Sequence, residues 1–509
     1  MAPFSLERSL SMYRYVPCLL ITALLGITNT VIASNSSLTE HSSNGEIPVT
    51  TSSEVARTAF LQARDALEMT RSTDAEALLD QAIEQDPKFA LAYLYKAYLF
   101  TSLADWRKNM QLAVANKDRC SPGEQLLIDM RMTYPVNDAA KRFALTRKLV
   151  NTYPGSARAL LILADQIIQR RDVSKARDLM RQALEIAPDF VPAHNALSVS
   201  YMTDQPQNLT TAADHARQMV KHRPDEPIGH IALGDIYRAE NKLEASRTSY
   251  VNATEINPRD DRAFGKKGHI NTFLGNYDQA REDYRIAQQI AKGNLKVVWA
   301  NYGVFTFLYA SDITSALDAW NRLLTDLLQM NLSEPQLLRA RINVLGNRAT
   351  AAMHYGLLSI AEHALKERTE YQLQRFDTLQ SANMKRNFQT GQAIWEGTLA
   401  AYQGDYTKAI EQVERNARLQ ERSSNPRKLD RYHRLRGDIH LMQKQYDLAI
   451  EHYQKASNNS IRVQYGLALS HQGAGNHEAS QRLLKQIAGY NFNTLQYALI
   501  RAHAIERTR

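Results

Sequence analysis

The sequence predicts an all-α protein built by stacking helical hairpins, and three observations carry that expectation. From Glu54 onward apolar residues recur at helical spacing almost without interruption, and runs of alternating β-branched residues are missing. A unit of about 34 residues repeats within that pattern. It closes on an alanine followed five residues later by proline, as in Ala82 to Pro87, Ala183 to Pro188 and Ala253 to Pro258. The composition agrees: 44% hydrophobic and 23% charged residues, with 21 Gly and 15 Pro in 509, suit a folded chain and exclude collagen-like, disulfide-scaffold and wholly disordered classes.

The N-terminus has the parts of a secretory signal. Arg8 and Arg14 precede the uncharged run from Val16 to Ile27, and Val31 and Ala33 sit before Ser34 as small residues at a cut site. Residues 1–33 are therefore expected to be a signal peptide. The alternative is an uncleaved anchor, since the stretch from Val16 to Ala33 is about long enough to cross a bilayer. Either way the basic residues stay inside and the rest is exported, to the periplasm or beyond the cell. Residues 34–53 are rich in Ser, Thr and Asn, and read as a flexible linker. With Cys18 in the leader, Cys120 stands alone, so no internal disulfide is expected; the role of a small buried apolar residue suits it.

The repeats follow in order. Units fall at 56–89, 90–122, 157–190, 191–226, 227–260, 261–294, 296–330, 339–370, 390–423, 430–460 and 461–490. The clearest carry Leu233-Gly234, Tyr237, Tyr250, Ala253 and Pro258; then Gly268, Gly275-Asn276-Tyr277, Ala280, Tyr284 and Ala287; then Gly437, Tyr446, Ala449, Tyr453 and Ala456. A fourth has Gly397, Gly404-Asp405-Tyr406 and Ala409. Small residues let two antiparallel helices approach, aromatics fill the space beside the next unit, and proline stops the second helix. These residues resemble the tetratricopeptide repeat. The resemblance implies a right-handed α-solenoid of about ten to eleven hairpins. It divides the chain into an N-terminal array at 54–330 with an irregular insertion near 106–152, degenerate helical repeats at 331–389, a C-terminal array at 390–490, and a capping helix and tail at 491–509.

Motifs for catalysis are missing. No Gly-x-x-x-x-Gly-Lys phosphate loop, no His-Glu-x-x-His helix and no Gly-x-Ser-x-Gly elbow occurs. His215 and His222 are seven apart, as are His433 and His440, which places each pair about 10 Å apart along one helix, too far to share a metal. No cofactor or metal site is expected, and the chain is read as a non-enzymatic scaffold or adaptor.

The resemblance also implies a concave groove lined by the second, fifth, ninth and twelfth positions of each unit's first helix. Its candidates for holding a protein or peptide are Arg158, Asp165, Asp235, Arg238, Arg262, His269, Arg431, Arg434 and Asp438. The family's carboxylate clamp is absent, because its Lys and Asn slots hold Leu161/Asp165, Ile231/Asp235, Gly265/His269 and Arg434/Asp438. A basic run includes Arg415, Arg418, Arg422, Arg427 and Lys428 and continues to Arg436, opposed only by Glu421 and Asp430. It suits an acidic protein surface or an anionic envelope component. Nucleic acid is not expected, and a membrane only through the N-terminal segment. The alternative function is an envelope polymer or glycan binder, or an accessory subunit of an envelope enzyme, using Trp299, Tyr302, Phe305 and Trp320 to stack on sugars.

Overall fold

The computed structural model describes residues 45–99, 103–136, 138–379, 382–421, 423, 425, 427–456 and 460–508. The expected signal peptide at 1–33, the first part of the expected linker at 34–44, and Arg422 of the basic run lie outside the described residues. Among the described residues 25 α-helices follow one another and no strand occurs, so the chain is an all-α helical repeat solenoid. No described helix is long and apolar enough to cross a membrane.

Two compact units divide the chain, one of residues up to 240 with 248–260, the other of 241–247 with 261 onward. The expected boundaries at 331 and 390 do not coincide with that division. The stretch without repeat register forms long helices that pack on their neighbours to either side and so stays within the second unit.

The first unit holds α1 (Glu54–Glu68), α2 (Ser72–Gln85), α3 (Ala90–Lys96), α4 (Leu103–Ala115), α5 (Pro122–Met132), α6 (Ala139–Thr152), α7 (Ala157–Gln169), α8 (Val173–Ile186), α9 (Val191–Thr203), α10 (Leu209–His222), α11 (Ile228–Ala239) and most of α12 (Leu243–Ile256). The second holds α13 (Asp261–Leu274), α14 (Tyr277–Ile290), α15 (Asn294–Tyr309), α16 (Ile313–Asp326), α17 (Glu334–His354), α18 (Leu358–Leu379), α19 (Ala382–Tyr402), α20 (Tyr406–Gln420), α21 (Asp430–Met442), α22 (Tyr446–Lys455), α23 (Ile461–Gly473), α24 (His477–Ala488) and α25 (Leu495–Glu506).

Local chemistry sets these boundaries. Side chains of Ser53, Ser156, Asp172, Asn208, Asp312, Asp405 and Thr494 each accept from a backbone N–H in the first turn of the helix that follows, satisfying an otherwise orphaned donor. Second helices α2, α8 and α12 end just before Pro87, Pro188 and Pro258, whose rings cannot continue the ladder. Between the helices of a hairpin one residue takes a left-handed backbone, which costs a side chain but not glycine: Gly275 and Gly404 do so freely, whereas Arg171 and Lys444 do so with a Cβ.

Inside three hairpins the glycine of the first helix (Gly234, Gly268 or Gly437) meets the tyrosine of the second. A Cβ on Gly268 would lie 2.7 Å from the Tyr284 ring, and one on Gly437 would lie 2.8 Å from that of Tyr453. Tyr250, Tyr284 and Tyr453 are consequently buried. The terminal alanines Ala82, Ala183, Ala253 and Ala287 are fully buried as well.

Two expectations need correction. Residues 45–53 belong to the fold rather than to a tether. Thr51 and Ser52 hydroxyls donate to the Asp86 carboxylate at 2.6 and 3.1 Å, the Thr50 N–H donates to Glu124 at 2.8 Å, and Arg57 donates to the Val49 carbonyl. Polar composition alone predicts a lack of burial, but here the hydroxyls serve buried carboxylates. The C-terminal helix α25 does more than cap α24: it packs on α15 and α17 as well as on α23 and α24, with Leu495, Tyr497, Leu499, Ile500 and Ala504 buried and Ala502 exposed. The irregular insertion near 106–152 forms α4, α5 and α6 and joins the core of the first unit through Leu126, Ile128 and Leu149. Between α4 and α5 Cys120 is half-buried rather than buried as expected, its thiol pushed up to about 12 by burial and then by Glu124.

Candidate partner-binding site

The expected groove positions divide into three groups. The first serves the hairpins themselves. In three repeats the ninth residue of the unit pairs with the tyrosine fifteen positions on. Tyr250 donates its hydroxyl to Asp235 at 2.8 Å, Tyr453 donates to Asp438 at 2.8 Å, and Tyr284 shares a hydrogen bond of 2.7 Å with His269. A buried phenol needs a polar partner, and the ninth position supplies it. Burial and the facing carboxylate hold the Tyr250 and Tyr453 hydroxyls well above their usual range. Arg238 lies on Asp235 at 3.0 Å. Arg434 and Arg462 flank Asp438 at 2.6 and 2.9 Å, both within the second unit. Asp235, Arg238, His269, Arg434 and Asp438 therefore form internal networks. The signal in the sequence was the constant fifteen-residue step from Asp, His or Asp to Tyr.

The second group meets distant segments of its own unit. In the first unit Arg158 makes a two-pronged pair with Glu68 at 2.6 and 3.0 Å, and Arg223 a second with Asp65 at 2.7 and 3.1 Å. Arg71 adds a contact of 3.1 Å to buried Glu226, and Met69 packs with Val191, Met219 and Ile228. The turn between α1 and α2 thus covers the starts of the later first helices. Burial opposes the charge on Arg158, yet Glu68 and Glu46 outweigh it and keep the guanidinium more basic than usual. In the second unit the segment before α25 and α25 itself play the same part: Asn493 reaches Tyr284, His269 and the Tyr309 hydroxyl, and Arg501 of α25 donates to the Phe273 carbonyl at 3.0 Å.

The third group stays accessible. Asp165 is half-buried and accepts from Gln169 at 2.8 Å, Arg262 is half-buried, and Arg431 is exposed. Two members of the basic run face carboxylates of the chain. Arg415 lies 3.6 Å from Glu396, Arg427 is 2.5 Å from Asp430, and Lys428 donates to the Glu421 carbonyl at 2.8 Å; Arg418 is exposed.

Sequence reasoning missed a cavity of about 340 Å³ between α18 and α19. These helices have 22 and 21 residues, against 14 in α13 and α14, so they run beyond the repeat pattern. Leu365, Leu399 and the half-buried Trp395 give the cavity an apolar floor, with Glu362, Lys366, Glu370 and Glu396 around it. The Arg368 guanidinium lies over the Trp395 ring at 4.8 Å and donates to Gln372 at 3.0 Å, while its buried Nε has no hydrogen-bond partner among the described residues. Burial, and then Arg431, push Arg368 down to about 10. An anion or carboxylate placed there would relieve both effects.

The aromatic set expected to stack on sugars is packed instead. Trp299 and Phe305 are buried and Trp320 is fully so; the indole N–H groups of Trp299 and Trp320 are spent on Asp261 at 2.7 Å and Asn301 at 3.1 Å. Their spacing belongs to repeat packing, with Trp299 seated against Gly265.

Models of the tetratricopeptide repeat match residues 60–114, 229–260, 261–294 and 393–462. No curated protein matches the chain. Among solved structures, the chain is similar to the hetero-tetramer of Cut9 and Hcn1 from the APC/C, with 16% identity, 88% of this chain and 76% of that chain covered, and a TM-score of 0.38. It is also similar to TTC0263, a thermophilic tetratricopeptide protein of Thermus thermophilus, at 17% identity, 35% and 97% coverage and a TM-score of 0.31. MamA is similar at 16% identity, 33% and 94% coverage and a TM-score of 0.27. Such repeats generally mediate interactions between proteins. With the glycine–tyrosine hairpins and closing prolines in place, and the family's models matching residues 60–114, 229–294 and 393–462, the chain carries tetratricopeptide repeats.

Proposed function

We propose that the chain is an exported, non-enzymatic scaffold that takes a peptide segment of a partner protein in the cavity between α18 and α19. The observation that carries this reading is Arg368, which lies over Trp395 with an unpaired buried Nε beside exposed Arg431. An apolar partner side chain would cover Trp395, and a carboxylate would satisfy Arg368 and Arg431. The groove positions offered by the family resemblance are less suited, because most of them hold tyrosines or distant segments of their own unit. Export rests on the basic, apolar and small-residue succession from Arg8 to Ala33.

Capture from an envelope extract tests the reading. The chain should retain a stoichiometric protein partner, and Trp395→Ala with Arg368→Gln should lose it at least tenfold while the helical content and melting temperature hold. Equal capture by the double variant would move the binding surface elsewhere, and retention on glycan alone would favour the polymer-binding alternative.

A further inference from the structure

Two histidine pairs lie apart from the proposed partner site. The Nδ1 atoms of His194 on α9 and His215 on α10 are 3.1 Å apart, and those of His433 on α21 and His452 on α22 are 3.2 Å apart. The pairs hold equivalent places in two hairpins of different units. In each, the first histidine is the fourth residue of the first helix and the second is the seventh residue of the second helix. One such contact is ordinary imidazole hydrogen bonding. The same contact at the same two places, in hairpins whose other residues differ, calls for a common reason.

The His194 ring is oriented as that of a ligand is. The His194 Nε2–H donates to the Pro188 carbonyl at 3.0 Å, which in the neutral ring leaves the lone pair on Nδ1. A ligating imidazole is usually oriented in this way, by a carbonyl on its other nitrogen. A third ring fixes each plane: His222 stacks on His194 with centroids 5.8 Å apart, and His440, pinned to Gln445 at 2.7 Å, stacks on His452 at 5.3 Å. His215 and His452 are half-buried, giving each pair a side open to solvent.

Two nitrogens at about 2.0–2.1 Å from one ion are about 2.9–3.4 Å apart for angles between square and tetrahedral. Both observed separations fall in that span. We propose that each pair is a two-imidazole site for a borderline divalent metal ion of the zinc and copper class, with water completing its coordination. In the first pair, two metal–nitrogen bonds replace the N–H···N hydrogen bond, the His215 proton moves to its Nε2, and no electron is transferred. Among the described residues no group of three or more His, Cys, Asp and Glu side chains is placed to hold an ion, so the protein supplies two ligands per site. The bound ion would pin the two helices of one hairpin together.

Copper(II) titration of the full chain, read by calorimetry and electron paramagnetic resonance, tests this. Two ions should bind per chain, each showing hyperfine coupling to two nitrogens. His215→Ala and His452→Ala should each lose one ion, and the double variant should bind at least tenfold fewer ions at equal free copper, with all variants keeping the parent's helical content. The variants spare the buried His194 and leave His433 in place; His215→Gln and His452→Gln repeat the test if alanine unfolds the hairpin. Absence of stoichiometric uptake, or uptake unchanged in the double variant, would overturn the proposal. Loss with one variant only would overturn it for the other pair.

Discussion

Asn493 donates its side-chain amide to the hydroxyl of Tyr284, 209 positions earlier in the chain, at 2.9 Å. The same amide lies 3.1 Å from His269 Nδ1, and its carbonyl accepts from the Tyr309 hydroxyl at 3.2 Å. One side chain thus serves three buried groups, on α13, α14 and α15 of the second unit. Replacing it with alanine strands polar groups in the interior, at about 1–3 kcal/mol for each one left unsatisfied. Asn493→Ala should lower the thermal or urea midpoint of the second unit accordingly, and an unchanged midpoint would show that the segment before α25 is not seated there.

The buried carboxylate of Asp438 is held between Arg434, Arg462 and Tyr453, and its removal would leave two half-buried cations without their shared partner. Breaking a buried pair from one side costs about 3–5 kcal/mol. Asp438→Ala should therefore unfold at markedly lower denaturant, whereas Arg431→Ala, on an exposed residue, should stay within about 0.5 kcal/mol of the parent. Urea unfolding of the two variants side by side checks the ordering. Similar midpoints would return Asp438 to the surface.

Helical glycines divide by what stands above them. A Cβ on Gly268 meets the Tyr284 ring at 2.7 Å, and nothing lies within 4 Å of one on Gly391. Gly268→Ala should destabilise by about 1–3 kcal/mol through overpacking. Gly391→Ala, inside α19, should stabilise by about 0.5–1 kcal/mol, because alanine loses less backbone entropy on folding. Melting temperatures that move in opposite directions bear this out, and a shared direction refutes it.

His354 on α17 is pushed down to about 4 by burial, then by His503 on α25 and Arg462 on α23, against a carbonyl contact from Leu499 that raises it. The unfolded chain, with an ordinary value of 6.5, takes up this proton first as pH falls. Stability linked to His354 is therefore complete above about pH 6.5 and declines toward pH 4. Between pH 7 and pH 5 the loss should be about 1–2 kcal/mol. His354→Gln should flatten that part of the pH profile. A profile of unchanged slope would assign the loss to other groups.

Much of the fold was legible. The closing alanines and prolines, and the glycine–tyrosine steps through Gly234, Gly268 and Gly437, mark hairpins by local spacing, and local spacing survives in one sequence. The candidate site was less so. Asp235, His269 and Asp438 occupy positions that a family groove turns outward, but in this chain a tyrosine fifteen residues on draws each one inward. The Arg158–Glu68, Arg223–Asp65 and Asn493–Tyr284 contacts join residues 90, 158 and 209 positions apart, where no periodicity reports on pairing. Trp395 and Arg368 lie where the repeat register lapses, so no repeat position pointed to them. The histidine pairs cross from one helix to the next, whereas spacing along a single helix suggested only His215 with His222 and His433 with His440.

Hydrogen exchange of the intact chain addresses most directly whether the repeats of the second unit are covered by their own C-terminal segment. Amides from Tyr497 to Ala504 should exchange as slowly as those from Ala280 to Ala287, because α25 is buried on α15 and α17 and opens only with them. Exchange of the Tyr497 to Ala504 amides within seconds, while Ala280 to Ala287 stay protected, would mean that α25 is not docked and that the repeat surface it covers is open to a partner.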